Sequence, residues 1–496
     1  MIGKRRKILV TMLAVLVLFP ISLLAFINTP PGRSLFSSFA SKLSGHQIQF
    51  AGYFYPLLTW PPSLHISGLT IANMEGGREN NMAEIGSMDI TIGTKALARG
   101  KLRIRRLSLI DSNIHLERNA QGVANWTNSE TSSGDETSMP SLGNLYLENS
   151  TLTYLDIPQK TDINLKAASE TDHFTITGEG KHHGKLFTLK GDIDAKCLSH
   201  HAHSCPIDTT MIVGHTSLHA KGTLSELVPP QNADFMVDIK GADAAELFPI
   251  FGIALPPTAP YKLSGHLTYE NEKWHFDDFT GTMGESDLQG NALWDMSGDK
   301  PKLTATLLSK KLRFVDLGPL IGLPPETPLS EQQKNLAENR EGSPFVIPNI
   351  PLDITKISSM DADVEFTGKQ VISQSLPLDD FYMKLSLEDR VMKLTPVRFG
   401  TANGNISADM TIDARESPAS DHASIRFNKL TLAGLLKGVG ESLGDIEEPE
   451  GEIGGTMTIS GKGNSLHEVF ADAHGVAGFG MEGGSVSNFL IKLLSL

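Results

Sequence analysis

Leu102-Arg-Ile104-Arg-Arg-Leu107-Ser-Leu109-Ile-Asp-Ser-Asn-Ile114-His-Leu116 is the stretch that decides the fold. Apolar and polar residues alternate, so an extended chain puts the aliphatic side chains on one face and the polar ones on the other. The same period runs outward from it. Upstream stand Leu64-His-Ile66, Leu69-Thr-Ile71 and Met88-Asp-Ile90-Thr-Ile92; downstream stand Leu145-Tyr-Leu147 and Phe174-Thr-Ile176. Gly, Asn and Asp separate these runs, which predicts short antiparallel strands with one aliphatic face. Asn128 to Met139 is a polar, low-complexity loop.

The middle of the chain repeats. Leu263–Phe314 aligns without a gap on Phe381–Leu432, an offset of 118 residues. Leu267, Trp274 and Phe276 fall on Leu385, Met392 and Leu394, while Leu288 and Asp295 fall on Ile406 and Asp413. A shorter echo sets Leu247–Pro257 against Val315–Pro325, each ending in a double proline after an alternating strand and a short apolar helix. Glu326–Gly342 is a polar insertion, expected to be a mobile helix or loop. A repeated strand unit implies a body in which each unit buries its apolar face with its neighbours.

At the other end, Ile8–Ile27 is an uncharged apolar run of membrane-spanning length behind Lys4, Arg5, Arg6 and Lys7. Its basic flank predicts a cytoplasmic N-terminus with the body across the membrane. A cleaved signal peptide is the alternative, although the run is long for one and Ala25-Phe26-Ile27 is a poor cleavage site. After the breaker Pro30-Pro31-Gly32, the residues Leu35, Phe36, Phe39 and Leu43 have helical spacing. That helix either caps the first domain's core or lies on the membrane.

A net charge of −14 argues against nucleic acid and against the body lying flat on anionic lipid. The two cysteines, Cys197 and Cys205, flank a short loop between alternating segments. A disulfide-closed hairpin in an oxidising compartment is the leading reading. Free thiols, or a zinc site with His200, His201 and His203, are the alternatives.

Catalytic motifs are weak. Gly440-Glu-Ser442-Leu-Gly444 has the spacing of a nucleophile elbow without its strand and helix. Gly478-Phe-Gly480-Met-Glu-Gly483 has dinucleotide-loop spacing without a βαβ context, so turn glycines are expected. His182-His183 and Glu447-Glu448 are expected to be solvated. No catalytic residue, cofactor or metal is expected. What remains is an aliphatic face too broad for the few short helices to cover: either the sheet curls on itself into a filled core, or the face lines an open groove, the mark of a binding surface. Its candidates are Ile90, Ile92, Leu107, Leu109, Leu267, Leu385 and Ile406.

The anchor, the Tyr55-Pro56 turn, the arginine-rich strand Leu102–Leu116, the Gly122-Val-Ala-Asn125-Trp126 element, the repeat and the closing Gly475–Gly484 segment together resemble the AsmA family of bacterial envelope proteins. The resemblance implies an inner-membrane anchor and a periplasmic, repeating β groove similar to chorein-type lipid bridges. Phospholipid or another envelope lipid would be the ligand, and outer-membrane or periplasmic proteins further partners. The expected fold is mainly β: an N-terminal transmembrane helix, then an elongated antiparallel groove with a few short helices. The divisions are 1–30 (anchor), 31–127 (N-terminal β domain), 128–140 (polar loop), 141–230 (β region with the cysteine hairpin), 231–325 and 344–444 (β repeats), 326–343 (insertion), and 445–496 (a C-terminal segment that looks incomplete beside the family). Phospholipid transport and outer-membrane biogenesis is the expected role; assisting assembly of outer-membrane proteins is the alternative.

Overall fold

A computed structural model describes residues 22, 25–57, 61–94, 104–127, 142–169, 173–194, 197, 204–225, 232–321, 323–330, 333–335, 337–338, 358–373, 378–434 and 451–483. Most of Ile8–Ile27 lies outside them, as do 128–141 and the Gly440–Gly444 motif. Among the described residues no helix is long and apolar enough to cross a membrane.

The protein is mainly β and forms two units. The first comprises 1–213 with 221–230. It begins with α1 (Pro30–Ser44), followed by β1 (Ile48–Phe50), β2 (Phe54–Leu57), β3 (Ser63–Ala72), β4 (Asn81–Ile92) and β5 (Ile104–Arg118). Then come β6 (Leu142–Glu148), β7 (Ser150–Asp156), β8 (Thr161–Ser169), β9 (His173–His182), β10 (Lys185–Asp194) and β11 (Cys205–Val213). β1 and β2 share one flank of β3, and β3, β4 and β5 run antiparallel. β5 pairs in parallel with β6 and β7, after which β7 to β11 are antiparallel again. Tyr55-Pro56 is therefore strand rather than turn. Pro56 has no N–H to donate, and it sits on the edge strand, where none is needed.

The second unit comprises 214–220 with 231–496, and the strand Thr216–Leu224 (β12) is divided between the two. After β13 (Asn232–Gly241) come a 3-10 turn (Ala244–Leu247) and α2 (Phe248–Phe251). β14 (Tyr261–Glu270), β15 (Lys273–Met283), β16 (Ser286–Asp295) and β17 (Lys302–Arg313) follow, then a 3-10 helix (Phe314–Ile321). β18 (Asp361–Ile372), β19 (Leu378–Glu388), β20 (Val391–Thr401), β21 (Gly404–Asp413), β22 (Ser420–Thr431), β23 (Glu452–Lys462), α3 (Leu466–Ala471) and β24 (His474–Glu482) complete it. Pairing is antiparallel from β13 to β17 and from β18 to β24, with one parallel step between β17 and β18.

The repeated stretch folds as four strands in each copy, β14–β17 and β19–β22. Its turns repeat as well. Asn271 and Glu272 (φ 52° and 62°) match Asp389 and Arg390 (φ 47° and 66°). Two consecutive left-handed residues make a type I′ turn, whose twist suits a two-residue hairpin. At the far end Asp295 accepts from the Ser297 N–H at 3.0 Å, and Asp413 accepts from the Arg415 N–H at 3.1 Å. Lys273 beside Asp295 and Arg415 beside Asp413 hold both carboxyls below their ordinary range, Asp413 at about 2.

Left-handed residues also reset the alternation within strands. In β3, Leu64 and Ile66 are out of phase with Leu69 and Ile71, and Gly68 between them has φ 63°. In β5, Leu107 and Leu109 are out of phase with Ile114 and Leu116, and Asp111 has φ 52°. Asp111 Oδ1 accepts from Asn149, itself at φ 46° between β6 and β7. One left-handed residue shifts the side-chain period by one position, so both halves keep their aliphatics on the same face.

Thr29 caps α1 and Gly45 (φ 74°) ends it. Phe36 packs against Phe50 and Phe54, with ring centroids 5.2 and 5.1 Å away, so α1 does cap this core. Leu35 and Phe39 face away from it, at 63% and 65% exposure.

Candidate functional site

Paired residues in a sheet share a face, so register converts the alternation into rungs. In the first unit Leu64, Ile90, Leu107 and Leu145 form one rung. Phe54, Ile66, Met88, Leu109 and Leu147 form the next. Ile92 pairs with Ile104. Leu69, Ile85 and Leu109 are the buried centre of this face, and Ile71, Met88, Leu107, Leu145 and Leu147 pack around them, half-exposed. Ile90, Ile92, Leu107 and Leu109 thus share one aliphatic surface.

In the second unit one rung crosses every strand from β13 to β24. It runs Phe235, Leu267, Phe276, Ala292, Ala305, Val364, Leu385, Leu394, Met410, Ala423, Ile459 and Gly475. At about 4.8 Å between strands, it measures roughly 50 Å along the surface. The rung one residue over includes Asp234, Thr268, His275, Thr304, Asp363, Ser386, Lys393, Thr411, His422 and Ser460, and is polar except at Leu293. Leu267 and Leu385 lie on the apolar rung; Ile406 lies on the same face between Phe399 and Phe427.

Along the rung Phe235 and Ala305 are buried, but Leu267, Phe276, Val364, Leu385, Leu394, Met410, Ala423 and Ile459 are only half-buried. Covers lie to either side. Ile253, Ala254, Leu255 and Met360 pack on Trp294, Leu303, Ala362 and Leu387. Leu312 and Leu317, the latter from the 3-10 helix, pack with Leu307, Phe366, Met383 and Val397.

The first cover is held from the insertion, where residues 333–335 are helical. Ser330 and Gln333 are buried, and the Gln333 amide donates to the carbonyls of Ala242 and Thr258 at 2.7 and 3.0 Å. Buried Asp243 accepts from the N–H groups of Ala245 and Thr258, both at 3.0 Å. These bonds pin both ends of the double-proline segment that carries Ile253–Leu255.

One carboxylate interrupts the apolar face. The rung Leu387, Met392, Ile412 continues to Asp421, then Gly461. In the other copy of the repeat this position is Leu303. Asp421 Oδ2 is buried without a hydrogen-bond partner, and burial pushes the carboxyl up to about 6. Because the folded protein holds this proton more tightly than the unfolded chain, the contribution of Asp421 to stability is greatest below about pH 4 and falls as pH rises to about 6. Asp421→Asn is expected to raise stability at pH 7 by about 1 kcal/mol, discounted for partial exposure. It should also flatten the slope over that pH range, as read by denaturant titration.

Cys197 and Cys205 form a disulfide with Cα atoms 5.0 Å apart, packed with Phe174, Ile193, Ile207 and Leu224. Thiols so joined are not free for zinc; His200, His201 and His203 lie outside the described residues. His182 is half-buried rather than solvated. It bonds Thr161 Oγ1 at 2.7 Å, and burial lowers its pKa. Gly478 and Gly480 are strand residues of β24, paired with Thr456 and Gly454, so turns do not account for them.

The Gly122–Trp126 element closes on β5. Asn125 is 1% exposed; its Oδ1 accepts from the Glu117 N–H at 3.1 Å. Its Nδ2 donates to Asn73 Oδ1 and to the His115 carbonyl, both at 2.8 Å. Trp126 lies 6.1 Å from Tyr154, with Arg118 over its ring.

The AsmA family model matches residues 2–196 and 252–493. The AsmA family protein YhjG of Escherichia coli (strain K12) is 24% identical over 475 residues, covering 88% of this chain and 69% of that protein. No solved structure matches. With most of its length matched, the chain belongs to the AsmA family.

Proposed function

We propose that this protein is a non-enzymatic lipid carrier, anchored in the bacterial inner membrane by Ile8–Ile27, with its body in the periplasm. It holds acyl chains of phospholipid on the apolar rungs during movement between membranes and outer-membrane biogenesis. The rung from Leu267 to Ile459, half-buried at all but one of its positions, carries this reading. Headgroups would stay in water while methylenes rest on Leu267, Leu385 and Leu394, each buried CH₂ contributing about 0.8 kcal/mol. The disulfide suits an oxidising compartment. Family membership supports an envelope role related to lipid.

A photo-crosslinking benzophenone residue at Leu394 tests it. In full-length protein isolated from its native membrane, mass spectrometry should find phospholipid adducts at Leu394 and none at Lys393 on the polar face. No adduct at either position overturns the proposal. The second reading, assistance to outer-membrane protein assembly, draws on β24, where Val476 and Phe479 are 75% and 58% exposed. An exposed strand edge can add a partner's strand. Crosslinks from Val476 to unfolded barrel proteins, with none to lipid from Leu394, would favour it.

A further inference from the structure

We infer that the exposed face of α1, led by Leu35 and Phe39, docks on an anionic bilayer surface. This rests on the anchored reading of Ile8–Ile27 and adds a second, peripheral contact with the same membrane. Leu35 and Phe39 are one helical turn apart, and the core makes no use of them, because Phe36 supplies the packing. Phe26, just before the helix, is 45% exposed, and Lys42 is exposed one turn beyond Phe39.

Beside the helix N-terminus, the Arg33 guanidinium lies 5.7 Å from the exposed ring of Tyr53 and donates to the carbonyls of Ala51 and Asn28. An amphipathic helix with an aromatic ring and a cation at one level suits the headgroup zone. The apolar run ends at Ile27, and only Asn28 and Thr29 separate it from Pro30, so the helix starts where that zone begins.

Charge chooses the same surface. Between Ile27 and Glu75 there is no Asp or Glu, whereas Arg33 and Lys42 lie there, on the body's side of the anchor. All 57 acidic residues lie from Glu75 onward. An anionic leaflet therefore repels the rest of the body and attracts this end. The opposite face of α1 matters too. Phe36 touches Phe54, which begins the rung Ile66, Met88, Leu109 and Leu147. One helix would then separate the leaflet from the first apolar rung.

Full-length protein with Phe39→Cys, labelled with an environment-sensitive fluorophore, tests this; the native cysteines are already paired. Glu84→Cys on β4 is the control. Vesicles of phosphatidylethanolamine with roughly a quarter phosphatidylglycerol carry a shallow doxyl quencher. The label replacing Phe39 should shift to the blue and be quenched about twofold, with the label replacing Glu84 unaffected and the quenching weakened when phosphatidylcholine replaces phosphatidylglycerol. No quenching at the Phe39 position overturns the docking face, and quenching insensitive to the lipid charge overturns its anionic character. An alkaline carbonate wash reports separately on the anchor. Protein that is quenched at the Phe39 position but washed away keeps the docking face and refutes the anchored reading.

Discussion

Asn125→Ala should lower the stability of the first unit by about 3 kcal/mol. One side chain serves three partners there, and none of the three is local in a helix or turn. The substitution leaves the Glu117 N–H and the His115 carbonyl without a partner beside a side chain that is 1% exposed. Each buried polar group left unmade costs about 1–3 kcal/mol, and alanine leaves a void as well. Denaturant titration of the full chain should show the first unit's transition moving while the second unit's stays. Faster amide exchange at Glu117 should accompany it. A loss below about 1 kcal/mol would mean that water replaces the amide, and the closing role of the loop would fall. Asn125→Asp keeps the acceptor but turns a carboxylate oxygen toward Asn73 Oδ1 and the His115 carbonyl. Its stability should improve as pH falls and the carboxyl gains a proton to donate.

Leu385→Glu separates an open apolar surface from a closed core. Leu385 is half-buried between Val364 and Leu394. In a closed core an unpaired carboxylate would cost several kcal/mol and unfold the unit. On an accessible rung the carboxylate reaches water, and the cost is the lost leucine burial, about 1–2 kcal/mol. The expected result is a folded protein with a small fall in melting temperature and a large fall in bound lipid. Displacing two or three buried methylenes weakens binding by about 2 kcal/mol, a roughly thirty-fold loss of occupancy. Leu385→Met, which keeps volume and polarity, should retain both. Circular dichroism and lipid-to-protein ratios by mass spectrometry read the two quantities. Loss of fold would identify a filled core, and unchanged lipid would remove the rung from the carrier reading.

The alternation in Leu102–Leu116 was enough to specify a strand, but not the sense of its pairing: β5 runs antiparallel to β4 and parallel to β6 and β7. The repeat was legible as well: Leu267 and Leu385, or Asp295 and Asp413, occupy equivalent places in a periodic pattern. The face of each strand was not. Gly68 and Asp111 invert the phase within a strand, and only pairing with neighbours shows that the aliphatics stay together. A sign of the reset does stand in β3, where Ile66 precedes Leu69 by an odd number of positions and so breaks the alternation at Gly68. Asn125 stood in the Gly122–Trp126 element, but its partners, like those of Gln333, were opaque for another reason. A lone Asn or Gln in a polar segment reads as solvated, and the Gln333 acceptors, Ala242 and Thr258, lie 91 and 75 residues away. Asp421 offered a sign too: the repeat sets a carboxylate against Leu303, a mismatch in an otherwise apolar correspondence.

The matched hairpins β14–β17 and β19–β22 bear on how such a protein changes over evolutionary time. Each copy is entered through an antiparallel edge, from β13 and from β18; the first leaves by a parallel step to β18 and the second by an antiparallel one to β23, and the turns depend on residues inside the copy. A further tandem duplication would add four strands and lengthen the apolar path by roughly 19 Å without a new type of contact. Length of the apolar path is then a property that selection can adjust in steps, while the chemistry of every rung is inherited unchanged.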